Sequence, residues 1–535
     1  MAAGMMDYDL NHYPYPSQRR LLLGRNGAIA TSQPLATLAG MEMFLAGGNA
    51  VDAAIASAIA LTVVEPTSNG IGGDAFALVW DGKVWGINGS GKSPQHWTQE
   101  DFAGLESMPQ LGWLTVTVPG AVALWRSLWE KWGKLPFEQL FAPAIRLSEQ
   151  GFAVSPLTAL AWQRAEKIYL PEKAPLYQPF QSLFFPNQRA PRAGEIWGSL
   201  VHGATLREIA ATGGESFYRG KLAAAIALFA AKTAGKLTQS DLAGHQSLWV
   251  EPIVTTYNGL EVWEIPPNGQ GITALMAFNI LESVNLANYP RDSVESFHFQ
   301  IEAMKLAFAD AYSYVADGDF MQVGVAELLS KNYAEKRSRL LQENALSLAP
   351  VGLPTGGTVY LCTGDQELMV SLIQSNYAGF GSGILIPQTG IALHNRGAGF
   401  SLQSGHPNQV AGAKRPFHTI MPGFLTQAHQ PLGPFGVMGA AMQPQGHLQM
   451  VVNLADYGMN PQAALDAPRW RFLQGNQVIV EANVSGEIRR GLRQKGHQIE
   501  TAPTIMFGKG QMILQRQGVL VTATEPRADG LGLVY

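Results

Sequence analysis

The spacing of apolar residues along the chain alternates between a period typical of helices and one typical of strands. Apolar residues recur at helical spacing over residues 34–45 and 51–64, so we expect a helix in each segment. Asn49 stands just before the second segment, where its side chain can cap the helix. Two short apolar runs within residues 76–87 flank a polar turn and predict a β-hairpin.

The same patterns predict further elements in the middle of the chain. Residues 293–314 have the spacing of one long amphipathic helix, and residues 137–150 that of a shorter one. The alanine-rich residues 206–242 also favour helix. Residues 162–185 are aromatic without a clear period, so we expect an irregular segment, which is either an insertion packed on the surface or a loop over the cleft.

The region around residues 354–382 combines a hairpin pattern with an unusual start. Gly356 and Gly357 precede Thr358, after which two apolar runs, 359–362 and 368–373, flank a short polar turn. This arrangement predicts a β-hairpin whose first strand begins at the threonine. Taken alone, these residues are also consistent with an ordinary threonine at the start of a strand.

Composition narrows the class of protein. The chain has 535 residues, of which 46% are hydrophobic and 15% are charged, which is typical of a globular protein with a large core. The net charge of −4 gives no indication of a nucleic-acid partner. Cys362 is the single cysteine, so disulfides within the chain are excluded, and we expect it to be buried.

The N-terminal 20 residues lack a basic segment followed by an apolar run, and therefore do not have the pattern of a signal peptide. The longest apolar stretch, residues 53–64, is too short to cross a bilayer. We expect a cytoplasmic protein without a membrane partner.

Several other types of site are not supported by motifs. The 11 histidines are scattered and form no HExxH motif, and CxxC is absent, so we expect no metal and no cofactor. The glycine-rich residues 67–74 lack the lysine of a phosphate-binding loop. A Gly-x-Ser-x-Gly element on a strand–turn–helix is also absent, which argues against an α/β-hydrolase.

Short motifs distributed over most of the chain, in a characteristic order, carry a resemblance to a known family. They are GGNAVDAA at 47–54, VEP at 64–66, GIGGD at 70–74, PG at 119–120, KRP at 414–416 and DYG at 456–458. With them, the sequence resembles the γ-glutamyltransferase family of N-terminal-nucleophile hydrolases, which are made as one chain that cleaves itself before a threonine. The resemblance implies an α+β fold, the four-layer αββα sandwich.

On this resemblance, Thr358 is the nucleophile, and cleavage between Gly357 and Thr358 yields residues 1–357 and 358–535. The two products would interleave in one fold as a heterodimer. The proposed chemistry is sound, because an N-terminal threonine carries both a hydroxyl nucleophile and, in its α-amino group, a base with a pKa of about 8. The glycine pair suits the strained backbone that attack on the preceding carbonyl requires.

The resemblance also implies roles for other residues. Gly439 and Ala440 match a glycine pair whose N–H groups form the oxyanion hole. Asn376 lies near an asparagine that contacts substrate. A second threonine that supports the nucleophile in relatives has no counterpart at Gln374 and Ser375.

The residues expected to bind the substrate's head group differ from the family pattern. Ser90 stands where relatives have an arginine for the α-carboxylate, and Lys92 is the nearest cation. His418 and Thr419 replace a Ser-Ser pair. Gly399 stands where relatives carry an acid for the α-ammonium.

Arg396 lies beside that last position and brings a cation where relatives have an anion, so the predicted pocket favours a carboxylate over an amine. A structural ion pair is an equally good interpretation of Arg396.

Three hypotheses about function follow. The first is a self-cleaving γ-glutamyltransferase-like amidase, which transfers an acyl group from a glutathione-like amide or peptide to water or an amine. The second is an acylase or amidohydrolase for another carboxylate-bearing amide, resembling the cephalosporin-acylase or oxamate-amidohydrolase branches. The third is an uncleaved binding protein without activity.

Overall fold

A computed structural model describes residues 19–347 and 356–535. Most of the N-terminal segment assessed above for a signal peptide, residues 1–18, lies outside the described residues, as do residues 348–355, which directly precede the glycine pair. Within the described part of the chain, no helix is both long and apolar enough to cross a membrane.

Helices account for much of the first 350 residues. The α-helices are α1 Pro34–Leu45, α2 Ala50–Val64, α3 Ala121–Trp132, α4 Ala142–Gln150, α5 Pro156–Tyr169, α6 Gln178–Phe184, α7 Leu200–Ala211, α8 Glu215–Tyr218, α9 Lys221–Lys232, α10 Gln239–Ala243, α11 Gly271–Leu281, α12 Val294–Tyr314, α13 Val325–Leu328, α14 Lys331–Ser338, α15 Met442–Ala455, α16 Pro461–Asp466 and α17 Gly486–Gln494.

Of the strands in the described residues, nine precede residue 268 and ten follow it. They are β1 Leu22–Gly24, β2 Ala28–Thr31, β3 Asp74–Trp80, β4 Val84–Asn88, β5 Phe152–Ala153, β6 Ile196–Trp197, β7 Leu248–Val250, β8 Ile253–Tyr257, β9 Leu260–Glu264, β10 Gly357–Gly364, β11 Met369–Tyr377, β12 Gly423–Gln427, β13 Gln430–Met438, β14 Trp470–Gln474, β15 Gln477–Val480, β16 Gln498–Thr501, β17 Lys509–Arg516, β18 Val519–Thr524 and β19 Leu531–Val534.

The strongest sequence patterns are confirmed. Helix α1 has the predicted bounds, and α2 begins one residue earlier than predicted. The Asn49 side chain accepts hydrogen bonds from the backbone N–H groups of Val51 and Asp52, both at 3.0 Å, as expected of a capping residue. The hairpins β3–β4 and β10–β11 and the long helix α12 also form.

One prediction was wrong, and another was confirmed only in part. Residues 162–185 are not irregular, because α5 and α6 cover most of them, and their rings pack around the buried Phe380. Residues 137–150 are not one helix: a 3₁₀ segment, Phe137–Phe141, precedes α4. Pro143 lies in the first turn of α4, where its fixed φ and missing N–H favour a helix start.

Two antiparallel sheets of seven strands form the centre of the described structure. Their strand orders are β1-β18-β17-β13-β12-β9-β8 and β19-β2-β10-β11-β3-β4-β7. Each sheet combines strands from before and after residue 357. In the second sheet, β10 pairs with β2 on one side and with β11 on the other. The two parts of the chain are therefore joined by strand-to-strand hydrogen bonds.

The alternation of side chains along β10 shows how the sheets are packed. Tyr360 and Cys362 lie in an apolar cluster with Phe424 and Ile513 of the other sheet. Val359 and Leu361 point the opposite way, into a cluster that contains much of α2. The other sheet repeats this arrangement, since residues of β13 and β17 pack against α11, α12 and α15. Each sheet therefore has one face on the other sheet and one face on helices, and the expected burial of Cys362 is confirmed.

Candidate active site

Thr358, the second residue of β10, sits at an irregularity in the hairpin. It is 2% exposed. Gly357 pairs with Tyr377, whereas Val359 pairs with Gln374, so two steps along β10 correspond to three steps along β11. This register break is a β-bulge, a feature that re-aims a side chain and is common next to active sites.

The hydroxyl of Ser375 joins the groups that the bulge brings together. It donates a hydrogen bond to the carbonyl oxygen of Gly357 at 2.7 Å. It accepts one from the Thr358 hydroxyl at 3.3 Å and another from the backbone N–H of Tyr377 at 2.7 Å. A serine hydroxyl has one proton and two lone pairs, so its hydrogen-bonding capacity is fully used. The Gly357 carbonyl belongs to the peptide bond that precedes Thr358.

The backbone before Thr358 lies against other chain segments on both sides. A Cβ atom on Gly356 would collide with the carbonyl oxygen of Tyr377. A Cβ on Gly357 would lie 3.1 Å from both the Cα of Ser68 and the carbonyl oxygen of Thr67. The glycine pair is therefore explained by this close approach.

Thr358 lines a cavity of about 550 Å³. One wall is a face of α5, since the spacing of its lining residues is that of one helical stripe. The cavity-lining residues of that helix are Ala161, Arg164, Ala165, Ile168 and Tyr169. The helix that sequence reasoning had missed therefore borders the cavity that contains Thr358.

Gly439 lines the same cavity, and the next residue, Ala440, is buried. A Cβ built on Gly356 would lie 3.6 Å from the Cβ of Ala440, so this turn is close to the backbone that precedes Thr358. Both residues have positive φ, 128° and 50°, and they precede the N-terminus of α15. The N-terminal end of a helix carries partial positive charge, which favours a nearby oxyanion.

Three of the residues predicted to contact substrate lie outside the lining of the Thr358 cavity. Ser90 is fully buried and donates to the side chain of Asn88 at 2.6 Å, and the side chain of Lys92 is exposed. Asn376 is buried, and its amide donates to the carbonyl of Phe380 at 3.2 Å. These three residues are not among those that line the Thr358 cavity, and their substrate roles stay predictions.

Arg396, His418 and Thr419 come together around Asp74, a residue that sequence reasoning did not select. His418 Nε2 lies 3.0 Å from Asp74 Oδ2, and Arg396 Nε lies 3.7 Å from the same oxygen. Arg396 also donates to the Thr419 hydroxyl at 2.8 Å and stacks over the ring of Tyr377, 4.6 Å from its centroid. The structure therefore has the ion pair that was the alternative interpretation of Arg396, and nothing in it tests the substrate role.

Burial dominates the electrostatics of this cluster. It raises the pKa of Asp74 to about 7, although Arg396 and the backbone N–H groups of Gly120 and Gly91 act in the opposite direction. Burial likewise lowers the pKa of Arg396 to about 10, with Asp74 opposing the change. It also lowers the pKa of His418 well below its usual value, so this imidazole is neutral near pH 7.

Sequence reasoning also missed Arg471, which lines the Thr358 cavity. It lies on β14 between Trp470 and Phe472, whose side chains pack into the core. Since side chains alternate along a strand, Arg471 points to the opposite face. Period-two alternation was the available signal, but it does not reveal that this face borders Thr358.

Comparison with known proteins finds relatives that match nearly the whole chain. A family model described as gamma-glutamyltranspeptidase matches residues 36–535. The Glutathione hydrolase-like YwrD proenzyme of Bacillus subtilis (strain 168) is 32% identical over 524 residues, which cover 95% of this chain and 98% of that protein. The Acylase ACY 1 proenzyme of Pseudomonas sp. (strain SE83) is 30% identical over 536 residues, with coverages of 96% and 95%. The crystal structure of cephalosporin acylase from Bacillus halodurans has a TM-score of 0.96 at 50% sequence identity and covers 99% of both chains.

The raised pKa of Asp74 predicts a pH-dependent stability. Its pKa of about 7 lies above the ordinary value of 3.8, so the folded chain holds this proton more tightly than the unfolded chain does. The protonated Asp74 carboxyl therefore contributes to the stability of the folded chain at low pH, and this contribution is lost as the pH rises towards 7. Between pH 5 and pH 8 the wild-type free energy of unfolding should fall by about 2–3 kcal/mol relative to Asp74→Asn.

Thermal unfolding midpoints at the two pH values measure this difference. Asp319→Asn is a suitable control, because Asp319 is an exposed aspartate and should leave the pH dependence unchanged. Parallel pH profiles for the wild type and Asp74→Asn would contradict the prediction.

Proposed function

The chain belongs to the gamma-glutamyltranspeptidase family, and we propose that it is a self-cleaving amidase whose nucleophile is Thr358. The observation that carries the proposal is the hydrogen-bond network in which Ser375 contacts both the Thr358 hydroxyl and the Gly357 carbonyl. A nucleophile, the carbonyl before it and a polarising donor thus lie within one bulged hairpin.

Self-cleavage would proceed as an acyl shift followed by hydrolysis. The Thr358 oxygen attacks the carbonyl carbon of Gly357, and the peptide nitrogen leaves with a proton as the new α-amino group. The hydrogen bond from Ser375 would stabilise the negative charge that develops on the carbonyl oxygen. Water then hydrolyses the ester, which leaves Gly357 with a carboxylate and Thr358 with its hydroxyl and a free amine.

The mature reaction would reuse the same oxygen on an external amide. The α-amino group of Thr358 takes the hydroxyl proton, the oxygen attacks the amide carbonyl, and the amine leaves with a proton. Gly439 and Ala440 would supply N–H donors to the oxyanion, and water or an amine would then accept the acyl group from the threonine ester. The alternative of an uncleaved binding protein predicts an intact chain instead.

The packing supports the proposed four-layer αββα sandwich and the interleaved products 1–357 and 358–535. Each sheet has one face on the other sheet and one on helices. Because β10 stays paired with β2 of the first product, cleavage would leave the two products held together as a heterodimer.

The first prediction from this proposed function concerns cleavage itself. We expect the purified protein to give two bands on a denaturing gel, and the smaller product to begin Thr-Val-Tyr-Leu on N-terminal sequencing. Thr358→Ala should abolish both cleavage and turnover, because the hydroxyl is needed for each, whereas Thr358→Ser should keep part of both.

Thr363→Ala provides the control. Thr363 lies on the same strand, and its hydroxyl donates to the carbonyl of Ala50 at 2.7 Å, away from Gly357. An active protein that runs as one uncut band, or cleavage that persists in Thr358→Ala, would refute the assignment of Thr358.

A second prediction isolates Ser375. Replacing it with alanine removes the donor to the Gly357 carbonyl, and loss of one such donor typically slows acyl transfer about 10²–10³-fold. We therefore expect Ser375→Ala to accumulate uncut chain in a time course of cleavage, and Ser375→Thr to restore part of the rate.

Ser371→Ala is the matched control on the same strand. Its hydroxyl is buried and lies 2.9 Å from the hydroxyl of Tyr360, so this variant also loses a buried hydroxyl pair without touching the Gly357 carbonyl. Equal slowing in the two alanine variants would indicate general destabilisation and would contradict a specific role for Ser375.

For the substrate, the cavity supports an amide whose acyl group carries a carboxylate without an α-ammonium. Arg164, Arg471 and Lys509 line it, and no aspartate or glutamate does so among the described residues. An ammonium group would therefore lack an anionic partner there. The names of the relatives include both glutathione hydrolase and cephalosporin acylase, and this charge pattern favours the acylase alternative.

The third prediction compares two donors on the cleaved protein, γ-glutamyl p-nitroanilide and glutaryl p-nitroanilide. They differ by the α-amino group, which has no anionic partner among the described residues that line the cavity, so removing it should change kcat/KM by less than about tenfold. A preference of about a hundredfold for the γ-glutamyl compound would show that another residue supplies the anion and would favour a γ-glutamyltransferase.

A further inference from the structure

Arg471 differs from the other cations that line the Thr358 cavity. It is only 4% exposed, and its Nη1 donates to the carbonyl oxygen of Met506 at 3.0 Å. Its Nε and Nη2 are buried and have no hydrogen-bond partner among residues 19–347 and 356–535. By contrast, Arg164 is exposed on α5, and Lys509 lies 3.7 Å from Glu65.

A buried guanidinium without an anion is unfavourable, because arginine stays charged and loses its hydration on burial. Burial accordingly lowers the pKa of Arg471 from its usual value. Such a group is usually compensated by a carboxylate or by several hydrogen bonds. None of the described residues that line this cavity is an acid. The missing anion is therefore consistent with a ligand.

The two unpartnered nitrogens also indicate the shape of that ligand. Nε and Nη2 lie on one edge of the planar guanidinium and point their N–H groups in parallel. This edge matches the two oxygens of a carboxylate, which arginine binds through a pair of parallel hydrogen bonds. A neutral amide or an apolar chain would leave both donors unsatisfied.

A second buried donor lies close by. The hydroxyl of Tyr312 has no partner among the described residues, and it is near enough to Arg471 for that charge to oppose the rise in its pKa caused by burial. Tyr312 lines a neighbouring cavity that shares Gln110 with the Thr358 cavity. A carboxylate on Arg471 would therefore lie near a free hydroxyl.

We infer that Arg471 is the carboxylate-binding residue of the acyl pocket, and that it selects donors whose acyl chain ends in a carboxylate. The inference rests on the proposed function of Thr358, since both groups line one cavity of about 550 Å³. It assigns specificity to a residue outside the Asp74 cluster. The Nε and Nη2 atoms of Arg396 also lack hydrogen-bond partners among the described residues, but the Asp74 carboxylate lies 3.7 Å from its Nε, and Arg396 does not line the Thr358 cavity.

Two p-nitroanilides of matched shape test this inference. Glutaryl p-nitroanilide carries the carboxylate, and 5-methylhexanoyl p-nitroanilide replaces it with an isopropyl group. A charge-assisted hydrogen bond typically contributes a factor of about ten to a hundred, so the wild type should prefer the glutaryl compound by at least that factor in kcat/KM. Arg471→Met should lose this preference, and Arg471→Lys, which keeps the charge but not the fork, should retain part of it.

Arg490→Met is the control, because Arg490 is an exposed arginine on α17 away from the cavity lining. It should keep the wild-type preference. Equal preference in the wild type and Arg471→Met would overturn the inference, as would a loss of preference that follows Arg164→Met instead. If Arg471→Met does not fold, the test uses Arg471→Lys instead. A ratio of kcat/KM for the glutaryl over the 5-methylhexanoyl compound that is unchanged from the wild type would then overturn the inference.

The gel separates failure of this inference from failure of the proposed function. An uncut chain that hydrolyses neither compound would refute Thr358 as the nucleophile. A cleaved chain that hydrolyses both compounds equally would refute only the role of Arg471. Calorimetric titration of the purified protein with glutarate needs no turnover, and wild-type binding that Arg471→Met loses would support the inference. Binding that is absent in the wild type or unchanged in the variant would overturn it.

Discussion

The hydrogen bond from the Ser375 hydroxyl to the Gly357 carbonyl is the contact on which the arrangement of the site depends. It forms because the extra residue of β11 at the bulge shifts the register against β10 and brings three backbone and side-chain groups to one hydroxyl. The bulge in turn requires a backbone without side chains before Thr358, since Gly356 lies against the Tyr377 carbonyl. The glycine pair, the strand pairing and the position of the Thr358 hydroxyl therefore depend on one another around Ser375 in the second sheet.

Two other buried arginines, Arg469 and Arg527, provide a comparison for Arg471. Arg469, two residues earlier, lies 2.7 Å from Glu525, and Arg527 lies within 2.7 Å of both Glu525 and Glu481. These arginines lower the pKa of Glu525 in spite of its burial. Among the described residues, Arg469 and Arg527 thus have carboxylate partners in a structural network, whereas Arg471, at the cavity, has none. Such a contrast is expected where a ligand supplies the missing charge.

The sequence predicted those parts of the fold that depend on local patterns. Asn49 and the apolar spacing after it determine α2, and the alternation in β10 follows from residues 359–362 themselves. Residues 162–185 were misread because their aromatic side chains pack on a distant residue, Phe380, and show no period of their own. The resemblance selected Thr358 and Gly439, which line one cavity. It placed Gln374 and Ser375 close to the position of a supporting threonine and found no counterpart there, whereas the Ser375 hydroxyl does contact the Thr358 hydroxyl. A one-residue bulge determines which side chain faces the threonine, and a bulge cannot be read from residue types.

The position of Ser375 bears on how one site could serve two reactions. In the uncut chain its proton is committed to the Gly357 carbonyl, and its lone pairs accept from Thr358 and Tyr377. Cleavage would convert that carbonyl into a carboxylate at the end of the first product and create an α-amino group on Thr358. The Ser375 proton would then need a new acceptor, and the Thr358 oxygen lies nearest at 3.3 Å. A single hydroxyl could thus polarise the carbonyl during self-cleavage and afterwards hold the threonine oxygen in place, with no rearrangement of β10 or β11.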